Sequence, residues 1–159
     1  MKLNTNQNIR EVIVSFLHAI NIEVVEQQLP NDTFLPGLSI YSNTILMDLE
    51  QLKYPGDLLH EAGHIAVTDK KNRALIGTPE ISENWPTSGD EIAAILWSYA
   101  AAYHLELDFE IVFHPDGYKN DSAWLMEQFK SKNYIGLPLL EWMSLCNAEE
   151  FPIMKKWLR

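Results

Sequence analysis

The sequence predicts an α+β fold in which a small, mainly antiparallel sheet packs on two helices, one of them buried nearly all round. Three observations carry that prediction. Strand-like patterns are confined to residues 21 to 47, helical periodicity marks most of the remaining elements, and the composition is that of one compact domain, with 47% hydrophobic and 21% charged residues. No linker, repeat or low-complexity tract divides residues 1 to 159, which are therefore read as a single unit.

Ile9, Val12, Ile13, Phe16, Leu17 and Ile20 recur at spacings of three and four, so residues 9 to 20 predict an amphipathic helix. The polar start, Met1 to Asn8, and the interruption of the following apolar run by Ser15 and His18 argue against a signal peptide or a membrane span. Asn21 to Val25 reads as a short strand, and Leu38 to Met47 as a hairpin turning near Ser42-Asn43. Tyr54-Pro55-Gly56-Asp57 then punctuates the chain before a helix over Leu58 to Val67, with Pro55 suited to its first turn. Residues 68 to 89, with Gly77, Pro79, Pro86 and Gly89, read as a polar surface loop. Asp90 to Leu105 is apolar nearly all round and predicts the central helix. Beyond it, Ser122 to Lys132, Leu139 to Leu145 and Phe151 to Leu158 predict closing helices, with Gly136 and Pro138 as a stop and restart.

Twelve Lys and Arg against 22 Asp and Glu give a formal charge of −10, which opposes binding to nucleic acid or an anionic membrane, because neutralising phosphate takes a surplus of cations. One cysteine, Cys146, excludes an intramolecular disulfide and a cysteine-rich metal site, and fits a cytoplasmic protein. Any metal must be held by His and carboxylates.

His60-Glu61-Ala62-Gly63-His64 supplies that set: an H-E-x-x-H pattern on a segment independently expected to be helical. With five His and fourteen Glu in the chain, chance alone produces such a pattern on the order of 1% of the time. At about 100° per residue, His60 and His64 sit one turn apart and differ by about 40°, so both imidazoles reach one ion. Glu61 falls about 60° from His64, able to face a water on that ion without ligating it. Zinc fits, since its catalytic sites use three N or O protein ligands and keep one position open for water. Gly63 lets a neighbouring strand or a substrate approach the helix closely.

Within one loop and helix, Glu80, Glu83, Asp90 and Glu91 are the candidates for the third ligand, with a histidine from elsewhere as the remaining alternative. Glu91 is preferred because it opens the most apolar helix, a rigid platform beside the core. The alternatives turn on capping: a box over Ser88 to Glu91 would occupy Glu91, whereas one over Thr87 to Asp90 would leave it free.

The order helix, strand, hairpin, H-E-x-G-H helix, polar loop and Glu91-Ile92-Ala93-Ala94 helix resembles the ImmA/IrrE-type zinc metallopeptidases, a compact branch of the gluzincin class. The resemblance covers about residues 9 to 105. It implies zinc on His60, His64 and Glu91, with Glu61 as general base.

In Phe113-His114-Pro115-Asp116-Gly117-Tyr118 a His, an Asp and a Tyr can point into a cleft. His114 reads as a catalytic donor that stabilises an oxyanion, or else as part of a plain chain reversal. His104 lies about 220° round its helix from Glu91 and should face away from the metal. His18 and Cys146 read as structural. The expected activity is zinc-dependent hydrolysis of a protein or peptide, with Glu61 activating water on the metal. The alternative is a zinc-binding regulatory or interaction protein on the same scaffold without turnover.

Overall fold

The computed structural model describes residues 5–159, so Met1–Asn4, half of the polar start, lie outside the described residues. The fold is α+β. Helix α1 (Asn6–Ala19) begins before the expected Ile9 because Thr5 caps it, its hydroxyl accepting from the Asn8 N–H at 3.2 Å. Its buried stripe is Ile9, Ile13, Phe16 and Leu17. Strands β1 (Glu23–Glu26), β2 (Leu38–Tyr41) and β3 (Thr44–Met47) form one sheet in the order β1-β3-β2. The hairpin is antiparallel, Leu38 facing Met47, and turns at Ser42-Asn43 as the sequence predicts. Strand β1 joins parallel to β3, so one of the two pairings departs from the antiparallel expectation and the sheet is mixed. The intervening chain can make this crossover because Asp48 anchors it, accepting from the Leu29 N–H at 2.9 Å and from Gln51 Nε2 at 2.8 Å. Ile45 and Met47 on β3, with Leu38 on β2, turn their buried side chains into the core.

Helix α2 (Asp57–Val67) is buried along its whole length, its four polar side chains included, and is the more enclosed of the two central helices. Pro55 precedes it rather than sitting in its first turn; the Pro55 and Gly56 carbonyls accept from the N–H groups of Leu58 and Leu59. Its last carbonyls are also met. Thr68 Oγ1 donates to His64 O at 2.7 Å, and Arg159 donates through its backbone N to Ala66 O at 2.9 Å and through Nη1 to Val67 O at 3.1 Å. Within the expected loop, α3 (Lys70–Arg73) forms a single turn capped by Asp69.

Helix α4 (Ser88–His104) packs across α2 at Gly63, where a Cβ would lie 2.7 Å from Ala94 O and 3.2 Å from Ala94 Cα. The close neighbour that Gly63 admits is thus a helix, not a strand or a substrate. Backbone atoms cannot step aside like a side-chain tip, so overpacking at Gly63→Ala should exceed the gain of about 1 kcal/mol in helix propensity. The expected net loss is about 1–2 kcal/mol, read as a lowered thermal midpoint. An unchanged or raised midpoint would refute the tight crossing.

Helices α5 (Ser122–Lys130) and α6 (Leu137–Trp142) close the far side, α6 starting earlier than Leu139 because Gly136, at φ 95°, turns the chain and Pro138 fits the first turn. The helix expected over Phe151 to Leu158 does not form. This segment spends its polar groups on distant partners: Lys155 N donates to Leu145 O at 2.8 Å, and Trp157 O accepts from Trp97 Nε1 at 3.0 Å. Its Trp157 ring meets Phe16, Trp97 and His104 edge-on, with centroids 5.1–5.5 Å apart. No helix among the described residues is long and apolar enough to cross a membrane.

Candidate metal centre

The crossing of α2 and α4 brings three polar side chains to one point. His60 and His64, one turn apart on α2, bring their Nε2 atoms within 3.2 Å of each other. The Glu91 carboxylate, from the first turn of α4, lies 3.4 Å from His60 Nε2 through Oε1 and 3.0 Å from His64 Nε2 through Oε2. Four-coordinate zinc with bonds of about 2.0–2.1 Å has ligand atoms about 3.3 Å apart, the edge of a tetrahedron of that size. The Nε2–Nε2 separation is close to that edge, each Nε2 meets one oxygen of the Glu91 carboxylate at a similar distance, and the donor set of two imidazoles and a carboxylate suits zinc. The Glu91 side chain is 40% exposed while both imidazoles are buried, so the cluster is open towards solvent on the α4 side.

Glu91 is free to point there because the capping box is the Thr87–Asp90 one. Thr87 Oγ1 accepts from the Asp90 N–H at 3.1 Å, and Asp90 Oδ2 accepts from the Thr87 N–H at 2.9 Å. Asp90 is thereby occupied, and Glu80 and Glu83 stand exposed in the loop before α4. Glu61, buried on α2, offers a carboxylate oxygen within 4.8 Å of ligand atoms of both His60 and His64, so these three residues could hold a metal ion. Glu91 lies nearer the Nε2 pair than that limit requires. Two carboxylates, Glu61 and Glu91, thus stand beside the imidazole pair.

Burial pushes the Glu61 carboxyl up to about 7, against the opposing pull of His64. Burial, with the nearby charge of His64, lowers His60 to about 4. The folded site therefore favours a protonated Glu61 and a neutral His60 over a wide range of pH. Burial alone would depress His64, but its hydrogen bond to Glu91 and the charges of Glu61 and Glu91 outweigh it and raise its pKa. Glu91 moves the other way, its burial overcome by the His64 hydrogen bond and the two imidazoles, and its pKa is lowered. A metal needs His64 unprotonated, so binding should release a proton. Apparent zinc affinity is expected to rise about tenfold per pH unit up to the pKa of His64, above its ordinary 6.5, and then to flatten. Competitive titrations at three pH values check this, and an affinity that does not change between pH 6 and 8 would contradict it.

His114 is placed on the flank of this centre. Its Nε2 meets Asp57 Oδ1 at 2.7 Å, both residues are buried, and its ring stacks on Tyr54 with centroids 3.7 Å apart. Asp116 turns outwards to the Tyr54 hydroxyl and to Lys53 Nζ at 3.8 Å. Of that segment it is Tyr118 that reaches the imidazoles, its hydroxyl 3.0 Å from His60 Nδ1. Trp85 adds a wall, its ring edge-on to His64 at 5.9 Å and its Nε1 donating to Thr68 Oγ1 at 3.0 Å. His104 packs on Phe16 and Trp157, and His18 Nε2 accepts from the Val24 N–H at 3.4 Å. Cys146 is buried with a free thiol.

Sequence reasoning missed Asp57 and Trp85. Asp57 carried a usable signal, since it precedes His60 and Glu61 by three and four positions and so shares their helix face. Trp85 carried none, because a loop residue has no periodicity to place it. No protein-family model matches the chain, and neither a curated protein nor a solved structure matches it.

Proposed function

We propose that the chain is a zinc-dependent hydrolase of the metallopeptidase type, similar in its site to the ImmA/IrrE-type gluzincins. The observation that carries this reading is the convergence of His60 Nε2, His64 Nε2 and the Glu91 carboxylate at zinc-ligand spacing, with a second carboxylate, Glu61, buried beside them. His60, His64 and Glu91 would hold the metal, and when bound it supplies a Lewis acid that acidifies water and polarises a carbonyl. Glu61 takes the proton from the attacking water. A carboxylate buried beside the imidazole pair suits this task, because a general base must lie within reach of the proton it takes. The same carboxyl can then return the proton to the departing amine, as microscopic reversibility of the two steps allows. Glu91 has no part in proton transfer; it holds the open side of the site.

The test is elemental analysis of the purified, metal-repleted protein followed by cleavage of a peptide library with and without chelator. About one zinc per chain and chelator-sensitive cleavage are expected. A protein that takes up no metal overturns the reading, and one zinc with no cleavage of any peptide favours the regulatory alternative.

A further inference from the structure

We propose that the cavity at the carboxy-terminal end of α4 is a second binding site, which takes a small organic monocation of the alkylammonium type. His104, one of its walls, stands about 20 Å along the helix axis from Glu91, so this site is separate from the metal centre and does not depend on it.

The cavity has a volume of about 460 Å³, within the range that small ligands occupy. Its lining divides by chemistry. Tyr103, His104 and Trp157 contribute aromatic rings, Pro152, Ile153 and Met154 contribute apolar surface, and the one carboxylate is that of Glu106. No lysine or arginine among the described residues lines it, although Lys155 and Lys156 fall between Met154 and Trp157 in the chain. Tyr and Trp rings attract a cation through their quadrupoles, and a single carboxylate balances a single positive charge. The apolar lining covers an alkyl body. An anion would meet Glu106 and a chain of net charge −10, so charge selects against it. Tyr103 and Ile153 are exposed, which leaves the cavity open to solvent and to a free ligand.

The end of α4 adds negative potential at the same place. Of its last four carbonyls, those of Ala101, Ala102 and Tyr103 accept from the N–H groups of Leu105, Leu107 and Glu106 at 2.9, 3.0 and 3.1 Å. The His104 carbonyl accepts from no group among the described residues, so the negative end of the helix dipole keeps an unpaired oxygen on a residue that lines the cavity. The Leu107 and Glu106 bonds form a Schellman closure, in which the residue at the Glu106 position turns left-handed and is usually Gly. Glu106 adopts that conformation at φ 54°, where its Cβ crowds the following carbonyl. Glycine would end this helix without that strain. Glutamate at the position instead puts a carboxylate on the cavity wall, and strained backbone of this kind gathers where a site requires the side chain it carries.

The test is NMR titration of the full chain with hexylammonium, hexanol and hexanoate, which share an alkyl body and differ in charge, followed on the Trp157 indole N–H. Wild type, Glu106→Gln, Glu106→Gly and Tyr103→Leu are compared, each with a thermal melt. Wild type should bind hexylammonium at least about tenfold more tightly than hexanol, and hexanoate least of all. Glu106→Gln should remove most of that preference. Glu106→Gly should remove it too while melting no lower than wild type, because glycine relieves the left-handed turn; the loss then cannot be a loss of fold. Tyr103→Leu should weaken hexylammonium about three- to tenfold and leave hexanol within about twofold. Equal affinity for ammonium and alcohol in wild type, or a preference that survives both Glu106 substitutions, would overturn the proposal. Tighter binding of the peptide acetyl-Ala-Lys-Ala-amide than of hexylammonium would give the cavity to a lysine side chain of another protein and overturn its assignment to a free amine.

Discussion

Replacing Glu61 with Gln is expected to leave fold and zinc content intact and to reduce peptide hydrolysis by about a hundredfold or more. Gln has the size, polarity and helix propensity of Glu, and a neutral amide at this buried position costs less than a charge, so the variant should melt no lower than wild type. What it lacks is a group that can take up a proton. Glu61 is buried on α2 beside Asp57 and His64. In the regulatory alternative the same substitution would be silent in every readout. Activity close to wild type in a zinc-loaded Glu61→Gln protein would remove Glu61 from the base role.

The second large effect concerns the ligands. Glu91→Ala should weaken zinc binding by about a hundredfold or more, since in the proposed site it deletes one of three protein ligands. Asp90→Ala, by contrast, breaks the Thr87–Asp90 box and should lower stability by about 1 kcal/mol with only a small change in affinity. Glu83→Ala, exposed in the preceding loop, should change neither. The His60→Ala/His64→Ala protein should lose stoichiometric zinc altogether. Competitive titration of these variants, with circular dichroism to follow the fold, separates the roles. A Glu91→Ala protein with normal affinity beside an Asp90→Ala protein that binds no metal would exchange the two assignments.

Much of this molecule was legible in its sequence, because much of it is decided within a few residues. The repeat of Ile9, Ile13, Phe16 and Leu17 specifies α1, and the Ser42-Asn43 turn between two apolar runs specifies the hairpin. The spacing of four between His60 and His64 is a property of any α-helix, so their shared face follows from local geometry alone. Other features were undecidable at that range. Two capping boxes were equally good on paper, and the structure realises the one that releases Glu91. Phe151 to Leu158 has apolar residues enough for a helix, but its Trp157 gains more by wedging among Phe16, Trp97 and His104, and its backbone polar groups find partners on other elements. The parallel pairing of β1, the approach of α4 to Gly63, the Asp57–His114 contact and the Tyr118 hydroxyl behind His60 join residues that are distant along the chain. The sequence by itself determined that His60 and His64 share one helix face where both can reach one ion, since helical spacing needs no tertiary partner. Only the tertiary structure decided what surrounds them, because burial and hydrogen bonding at a crossing of two helices depend on where the whole chain packs.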